Sequence, residues 1–143
     1  MKFDNFMILE FPSKSSNEAF ARAAVACFAA QMDPTIEELG DIRTAVSEAV
    51  TNCIVHAYPD CLGTITLRCR ILKDGVLDIV VKDHGVGIAD LEQAQKPMFT
   101  TGGSDRSGMG FTIMESFMTS FSVSSAPGKG TSVHMRRKLQ KKK

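Results

Sequence analysis

Two consecutive segments on either side of a short turn constrain the fold most. TITLRCRIL (64–72) alternates apolar with polar residues, which predicts a strand with one face exposed to water. VLDIVVKD (76–83) is more continuously apolar, as is typical of a strand nearer the centre of a sheet. Asp74-Gly75 between them is a hairpin turn signal. The chain is therefore predicted to contain a sheet built around this antiparallel hairpin.

Two helices are predicted between a first strand, MILEF (7–11), and this hairpin. Ser15 and Glu18 have the spacing of a capping box at the start of the first helix. Four residues of that helix share one face: Phe20, Ala24, Cys27 and Phe28. Asp33-Pro34 predicts the start of the second helix, which runs to about Tyr58. The second helix carries a core stripe of Leu39, Ile42, Val46, Ala49, Val50, Cys53 and Ile54.

A polar line runs along another side of the second helix. Glu48, Asn52 and His56 repeat every four residues, which places them on one side of a regular α-helix. Glu48 could take a proton from a nucleophile, and Asn52 could offer a neutral oxygen to Mg²⁺ when phosphates supply other ligands. Taken alone, this spacing is more often a solvated helix face.

The hairpin delivers an acidic residue into a glycine-containing turn. Asp83 ends the second strand, and Gly85 and Gly87 follow it. Taken alone, this pattern is more often an ordinary turn than a site. If it is a site, a carboxylate at a strand end suits the amino group of a base better than a phosphate, because two anions repel each other.

A second glycine segment, RSGMGF (106–111), precedes a predicted helix. The N–H groups at a helix N-terminus attract phosphate, and Gly108 and Gly110 would let a phosphate come close. A flexible lead-in to the helix explains the same residues equally well. Arg106 adds a cation that could hold a terminal phosphate.

The remaining segments complete an α+β pattern. A short helix is predicted at 89–95, a loop at 96–110, a helix at 111–121, and strands at 122–125 and 131–137. This order predicts a two-layer sandwich, with helices on one face of a mixed, mostly antiparallel sheet and a pocket between the layers. At 143 residues the chain is predicted to form one domain, 1–143.

Composition and the chain ends restrict the class of protein. Hydrophobic residues make up 43%, charged residues 23%, and the net charge is +1, as in an ordinary soluble globular protein. No signal-peptide core or membrane helix is predicted, so we expect a cytoplasmic protein without a membrane or direct nucleic-acid partner. RRKLQKKK (136–143) is predicted to be a flexible basic tail. Four cysteines are predicted to be reduced core-type thiols: Cys27, Cys53, Cys61 and Cys69.

Four segments, in this order, resemble the ATPases and kinases grouped with DNA gyrase and the histidine kinases, whose shared core is the Bergerat, or GHKL, fold. They are EAVTNCIVHA (48–57), DHGVGI (83–88), RSGMGF (106–111) and GKGT (128–131). NEAFARAAVACFAAQMDPT (17–35) and MFTT (98–101) more narrowly resemble the anti-sigma factor kinases of spore-forming bacteria. The resemblance covers nearly the whole chain and implies that ATP and Mg²⁺ bind.

The resemblance implies a role for each motif. Glu48 is the base that orients or deprotonates a serine hydroxyl, Asn52 coordinates the Mg²⁺ that bridges the ATP phosphates, and Asp83 hydrogen-bonds the adenine amino group. Arg106 reaches the γ-phosphate from an ATP lid, Pro97 to Ser107, in which Gly102-Gly103 departs from the family pattern. The other implied nucleotide contacts are Gly85, Gly87, Thr101, Ser107, Gly108, Gly110 and Thr131.

The implied function is that of an ATP-dependent protein serine kinase. Such a protein is a homodimer that binds and inhibits a sporulation sigma factor and phosphorylates a serine of its anti-anti-sigma antagonist. Two alternatives stay open: a nucleotide-gated, sigma-sequestering module with little catalysis, and the related general-stress anti-sigma kinase. Arg22 matches a stretch associated with partner contact, although an exposed arginine on a helix explains it equally well.

Overall fold

Five strands and three helices make up the part of the chain that the computed structural model describes, residues 3–58, 61–85, 110–125 and 127–140. The strands are β1 (Phe3–Pro12), β2 (Thr64–Leu72), β3 (Val76–Asp83), β4 (Ser120–Ser125) and β5 (Thr131–Lys138). The helices are α1 (Ser16–Ala29), α2 (Ile36–Asn52) and α3 (Gly110–Phe117). A 3₁₀ turn (Ala30–Met32) precedes α2, and a π-helical turn (Cys53–Ala57) follows it. In these ranges no helix is both long and apolar enough to cross a membrane.

The sheet has the order β1-β2-β3-β5-β4, and all four of these pairings are antiparallel. The α+β class and the central place of β3 are therefore confirmed. The prediction of a mixed sheet was wrong for the described strands, because β3 and β5 also pair antiparallel although a helix and β4 separate them in sequence. In the second hairpin β4 begins at Ser120, since α3 stops at Phe117 instead of continuing to 121.

The core lies between the three helices and one face of the sheet. Alternate residues of β2, β3 and β5 point into it, each at most 3% exposed: Ile65, Leu67, Cys69, Leu77, Ile79, Val81, Val133 and Met135. The predicted stripe of α2 is buried against them, with only Leu39 and Ile54 half-buried. Burial of this apolar surface holds α2 against the sheet and so determines which side of the helix faces away from the core.

The buried face of α1 includes Phe28 of the predicted face but otherwise differs from it. Ala21 and Val25 are fully buried, whereas Phe20 is 53% exposed. The ring of Phe20 instead packs edge-on against Phe11 of β1. The predicted capping box was also wrong, since Ser15 makes no side-chain cap. Its intended partner Glu18 instead accepts a hydrogen bond from Ser47 of α2.

The second helix begins two residues later than predicted. Thr35 caps it, with its Oγ1 accepting from the N–H of Glu38 at 3.0 Å and its own N–H donating to Glu38 Oε1 at 2.8 Å. Asp33 has a left-handed backbone, φ 55°, and ends the preceding 3₁₀ turn. The predicted Asp33-Pro34 start therefore marks the turn before the helix.

The described part of the segment predicted as a flexible basic tail, residues 136–140, belongs to the fold. Residues 136–138 end β5, and Leu139 is buried in the core. Arg137 donates to Asp41 at 2.8 Å and to the carbonyl of Phe117 at 2.6 Å, and the N–H of Gln140 donates to Glu38 at 2.8 Å. The prediction was wrong here because these tertiary partners neutralise charges that look solvated in sequence.

Candidate functional site

The helical segment that carries Glu48 and Asn52 ends in a π-helical turn. Both side chains are half-buried, one regular turn apart near the end of α2. The π turn Cys53–Ala57 follows directly. His56, the third residue of the predicted polar line, lies in this turn and is half-buried as well. Turns of this kind are frequent at functional sites.

The carboxylate of Asp83 is held in place at the end of the central strand. The residue is 3% exposed. Its Oδ1 accepts hydrogen bonds from the N–H of Gly85 at 3.0 Å and from the N–H of Thr131 at 3.1 Å. Two backbone donors on one oxygen fix the orientation of the carboxylate. The structure thus brings together three of the predicted site residues from two separate segments.

Two glycines allow the backbone to close around this carboxylate. A Cβ at Gly85 would clash with the carbonyl group of Ala57 at the end of the π turn. Gly130 has φ 78°, and a Cβ there would clash with the carbonyl oxygen of Asp83. The turn after β3 is therefore pressed between the helical segment and the start of β5, and only glycine fits at either contact.

Ser125 is a member of this cluster that sequence reasoning missed. It lies opposite Thr131 in the β4–β5 register. Its Oγ donates to the carbonyl of Gly130 at 2.9 Å and shares a hydrogen bond with Thr131 Oγ1 at 2.8 Å. Only the strand register brings Ser125 to this place, and SVSS offers several serines with nothing to distinguish one of them.

Two of the four cysteines confirm the prediction of core thiols. Burial, with the nearby charge of Asp83 added to it, raises the pKa of Cys53 well above its usual value. Burial likewise raises the pKa of Cys69 to about 12. Both thiols stay protonated and unreactive at neutral pH, so Cys53 serves as a wall beside Asp83. For Cys27 and Cys61 the prediction was wrong, because both are exposed.

Two of the other predicted site residues lie in described elements. Gly110 is the first residue of α3. Asn52 directly precedes Cys53, whose pKa is raised in part by the charge of Asp83. Among the described residues, no three His, Cys, Asp or Glu side chains are grouped so as to hold a metal ion. The predicted helix at 89–95 and the following site residues lie outside the described residues: Gly87, Thr101, Arg106, Ser107, Gly108 and the lid, Pro97 to Ser107.

Tyr58 joins the end of the π turn to the sheet, and sequence reasoning missed it as well. Its hydroxyl donates to the carbonyl of Thr64 at 2.9 Å and accepts from the N–H of His84 at 2.7 Å. Burial raises the pKa of Tyr58, so the hydroxyl keeps its proton at neutral pH. The side chain of His84 itself is exposed.

The fold defines the class of protein, a histidine kinase-like ATPase domain, and the family of that description matches residues 11–137. Domains of this class bind nucleotide. Curated relatives narrow the class further. The anti-sigma F factor of Caldanaerobacter subterraneus subsp. tengcongensis is 58% identical over 136 residues, which cover 94% of each chain. That of Geobacillus kaustophilus is 50% identical over 140 residues, 97% of this chain and 96% of the relative. The chain belongs to the anti-sigma F factor family.

Solved structures share the fold at much lower identity. The RsbU and RsbW domains of Rv1364c from Mycobacterium tuberculosis give a TM-score of 0.70 at 18% identity, over 95% of this chain and 32% of that chain. The histidine kinase domain of a blue-light activated histidine kinase from Erythrobacter litoralis gives 0.58 at 22% identity, over 85% of this chain and 64% of that chain. The predicted GHKL-type architecture is therefore confirmed.

Proposed function

We propose that this protein is an ATP-dependent protein serine kinase that inhibits a sporulation sigma factor and phosphorylates a serine of the antagonist of that inhibition, an anti-anti-sigma protein. The observation that carries the proposal is the buried Asp83 carboxylate, fixed by the N–H groups of Gly85 and Thr131. It lies in a chain of the anti-sigma F factor family with an ATPase domain.

The adenine of ATP is proposed to bind at Asp83. A buried carboxylate that is already oriented by backbone donors can accept a hydrogen bond from the exocyclic amino group, and Cys53 provides an uncharged wall beside it. A phosphate at this place would meet a fixed negative charge at short range, which is unfavourable. Gly87 and Thr131 complete the adenine end of the proposed site.

The phosphates are proposed to bind toward α2 and the start of α3. Asn52 supplies a neutral amide oxygen, which suits Mg²⁺ because this ion usually keeps water and substrate phosphate oxygens as most of its ligands. When bound, Mg²⁺ offsets the charge of the phosphates. Gly110 begins α3. The N–H groups of Gly108 and Gly110 are proposed to face the phosphates. Three further residues are proposed to contact the phosphates from the lid: Thr101, Arg106 and Ser107.

Glu48 is proposed to be the general base. It lies one helical turn before Asn52 and is half-buried, so the base and the proposed metal ligand share one side of α2. Glu48 accepts the hydroxyl proton of the substrate serine while the serine oxygen bonds to the γ-phosphorus and ADP leaves. Arg106 stabilises the negative charge on the transferred phosphoryl group. We propose that the protein works in the cytoplasm as a homodimer, with Arg22 of α1 on its partner-binding surface.

A single experiment tests both halves of the function. The protein is incubated with labelled ATP, Mg²⁺, the sporulation sigma factor and its antagonist, and both sigma capture and serine labelling are measured. We expect sigma capture that depends on ATP and label on a serine of the antagonist. Capture without label would favour the sequestering module. In a parallel incubation with the general-stress sigma factor, capture of that factor instead would favour the related kinase. Absence of both capture and label would contradict the proposal.

A further inference from the structure

Tyr58 contacts three parts of the fold at once. It directly follows the π turn, its hydroxyl donates to Thr64 at the start of β2, and the same hydroxyl accepts from the N–H of His84 behind β3. The ring lies against Gly63, where a Cβ would clash with it. A phenol with a donor and an acceptor partner and a close packing contact has one available orientation.

The peptide group between Asp83 and His84 is held from both sides. Its N–H donates to Tyr58 at 2.7 Å. Its carbonyl oxygen lies so close to Gly130 that no Cβ fits there. Because a trans peptide is planar, with N–H and C=O on opposite sides, fixing both groups fixes the plane. The plane in turn determines where the Asp83 side chain leaves the backbone and where the Gly85 N–H meets its carboxylate.

We infer that Tyr58 is a positioning residue of the nucleotide site, which holds the Asp83–Gly85 turn so that the Asp83 carboxylate is oriented before adenine binds. This inference rests on the proposed function, in which Asp83 accepts from the adenine amino group. Tyr58 itself touches neither the reacting phosphate nor Glu48 in this account. Its loss therefore weakens nucleotide binding and leaves the turnover rate at saturating ATP unchanged.

Tyr58→Phe removes the hydroxyl and keeps the ring. We expect its affinity for ATP, measured by calorimetry, to fall roughly 3- to 10-fold, the range that one neutral hydrogen bond supports. The turnover rate at saturating ATP should stay within about twofold of the wild type. Thr66→Val is the matched control. It removes a hydroxyl from the face of β2 that points away from the helices, where Thr66 contacts Glu10. The control should bind ATP as the wild type does.

A double-mutant cycle separates positioning through Asp83 from a general structural role. In an Asp83→Asn background, Tyr58→Phe should lower ATP affinity by less than about twofold, because the group it positions is already changed.

The outcomes distinguish this inference from the proposed function. Wild-type affinity in Tyr58→Phe, or a full loss repeated in the Asp83→Asn background, would overturn the positioning role while Asp83→Asn still shows weakened binding. If the wild type does not bind ATP, or Asp83→Asn binds it equally well, the adenine assignment fails and the inference fails with it.

Discussion

At the scale of the residue, Asp83 shows how a buried carboxylate is held at the end of a strand. Burial of a carboxylate is costly unless hydrogen-bond donors compensate for the lost water. Gly85 and Thr131 provide those donors from the backbone, and a backbone N–H group carries no net charge that would neutralise the carboxylate. Its charge therefore remains available to a ligand that carries a donor, such as an amino group.

Glu48→Gln tests the proposed base at the same scale. Glutamine keeps the shape of the side chain but cannot accept a proton, so the rate of phosphate transfer to the antagonist should fall by about 10²- to 10⁴-fold. ATP affinity should change by less than about twofold, because a base acts mainly in the transition state. The control is Glu37→Gln on the exposed start of the same helix. A full transfer rate in Glu48→Gln would remove this residue from the mechanism.

At the scale of the element, the turns that carry glycine differ in what they require. Gly128 and Gly130 both have positive φ, 75° and 78°. Nothing lies within 4 Å of a Cβ at Gly128, whereas a Cβ at Gly130 would meet the backbone of Asp83 and His84. At Gly128 glycine is therefore needed only for the positive φ angle, whereas at Gly130 it is needed for both the positive φ angle and the close packing.

The two alanine variants separate these effects. Gly128→Ala should lower the free energy of unfolding by about 1–2 kcal/mol through backbone strain and leave ATP affinity unchanged. Gly130→Ala should cost more stability and also weaken ATP binding, because the added Cβ displaces the peptide that carries Asp83. Denaturant unfolding and calorimetry measure the two quantities. If the two variants lost equal stability and equal ATP affinity, close packing at Gly130 would have no role in nucleotide binding.

Elements were predicted well from sequence where one periodic signal dominates. The hairpin at Asp74-Gly75 is observed, with φ 81° at Gly75. Helix starts were predicted less well because two valid signals competed: Asp33-Pro34 and the capping box of Thr35 and Glu38 differ by two positions. Local rules cannot rank such signals, since the choice depends on how Glu38 also meets Gln140 from the other end of the chain.

The site shows the same division between local and tertiary information. The motif around Asp83 was identified in sequence, and the structure places Gly85 and Thr131 against its carboxylate. Tyr58 and Ser125 were missed because their partners lie in other strands and are reached only through the sheet register. Residue type alone predicts neither contact.

At the scale of the whole molecule, two buried carboxylates connect distant segments. Asp78 is fully buried on the face of the sheet away from the helices and bonds Arg70, Arg136 and His134. Burial alone would raise the pKa of Asp78, but these hydrogen bonds outweigh burial and hold it below its usual value. Burial would likewise raise the pKa of Glu38, but the hydrogen bonds from Thr35 and Gln140 outweigh burial and lower this pKa.

These lowered pKa values predict acid sensitivity. A carboxylate with a lower pKa in the folded than in the unfolded state stabilises the fold above its unfolded pKa, about 4 for Asp and Glu. That stability is lost as the pH falls through the folded-state pKa. The free energy of unfolding should therefore decrease steadily below about pH 4 to 5.

Glu38→Gln isolates one of these contributions. This variant should be less stable than the wild type at neutral pH and should show a shallower loss of stability on acidification, measured by denaturant unfolding at several pH values. Glu37→Gln, on the neighbouring exposed residue, is the control and should keep the slope of the wild type. A slope unchanged by Glu38→Gln would show that Glu38 titrates alike in the folded and unfolded states.

The central claim, that Asp83 recognises the adenine amino group in an ATP-dependent kinase, is tested most directly by comparing ATP with inosine triphosphate in calorimetry. Inosine carries a carbonyl oxygen in place of the amino group of adenosine, so at that position it offers Asp83 an acceptor instead of a donor. Wild type should bind ATP about 10- to 100-fold more tightly than inosine triphosphate, as a hydrogen bond to a charged group supports. Asp83→Asn should lose most of that preference. Equal affinity of the wild type for the two nucleotides would contradict the account.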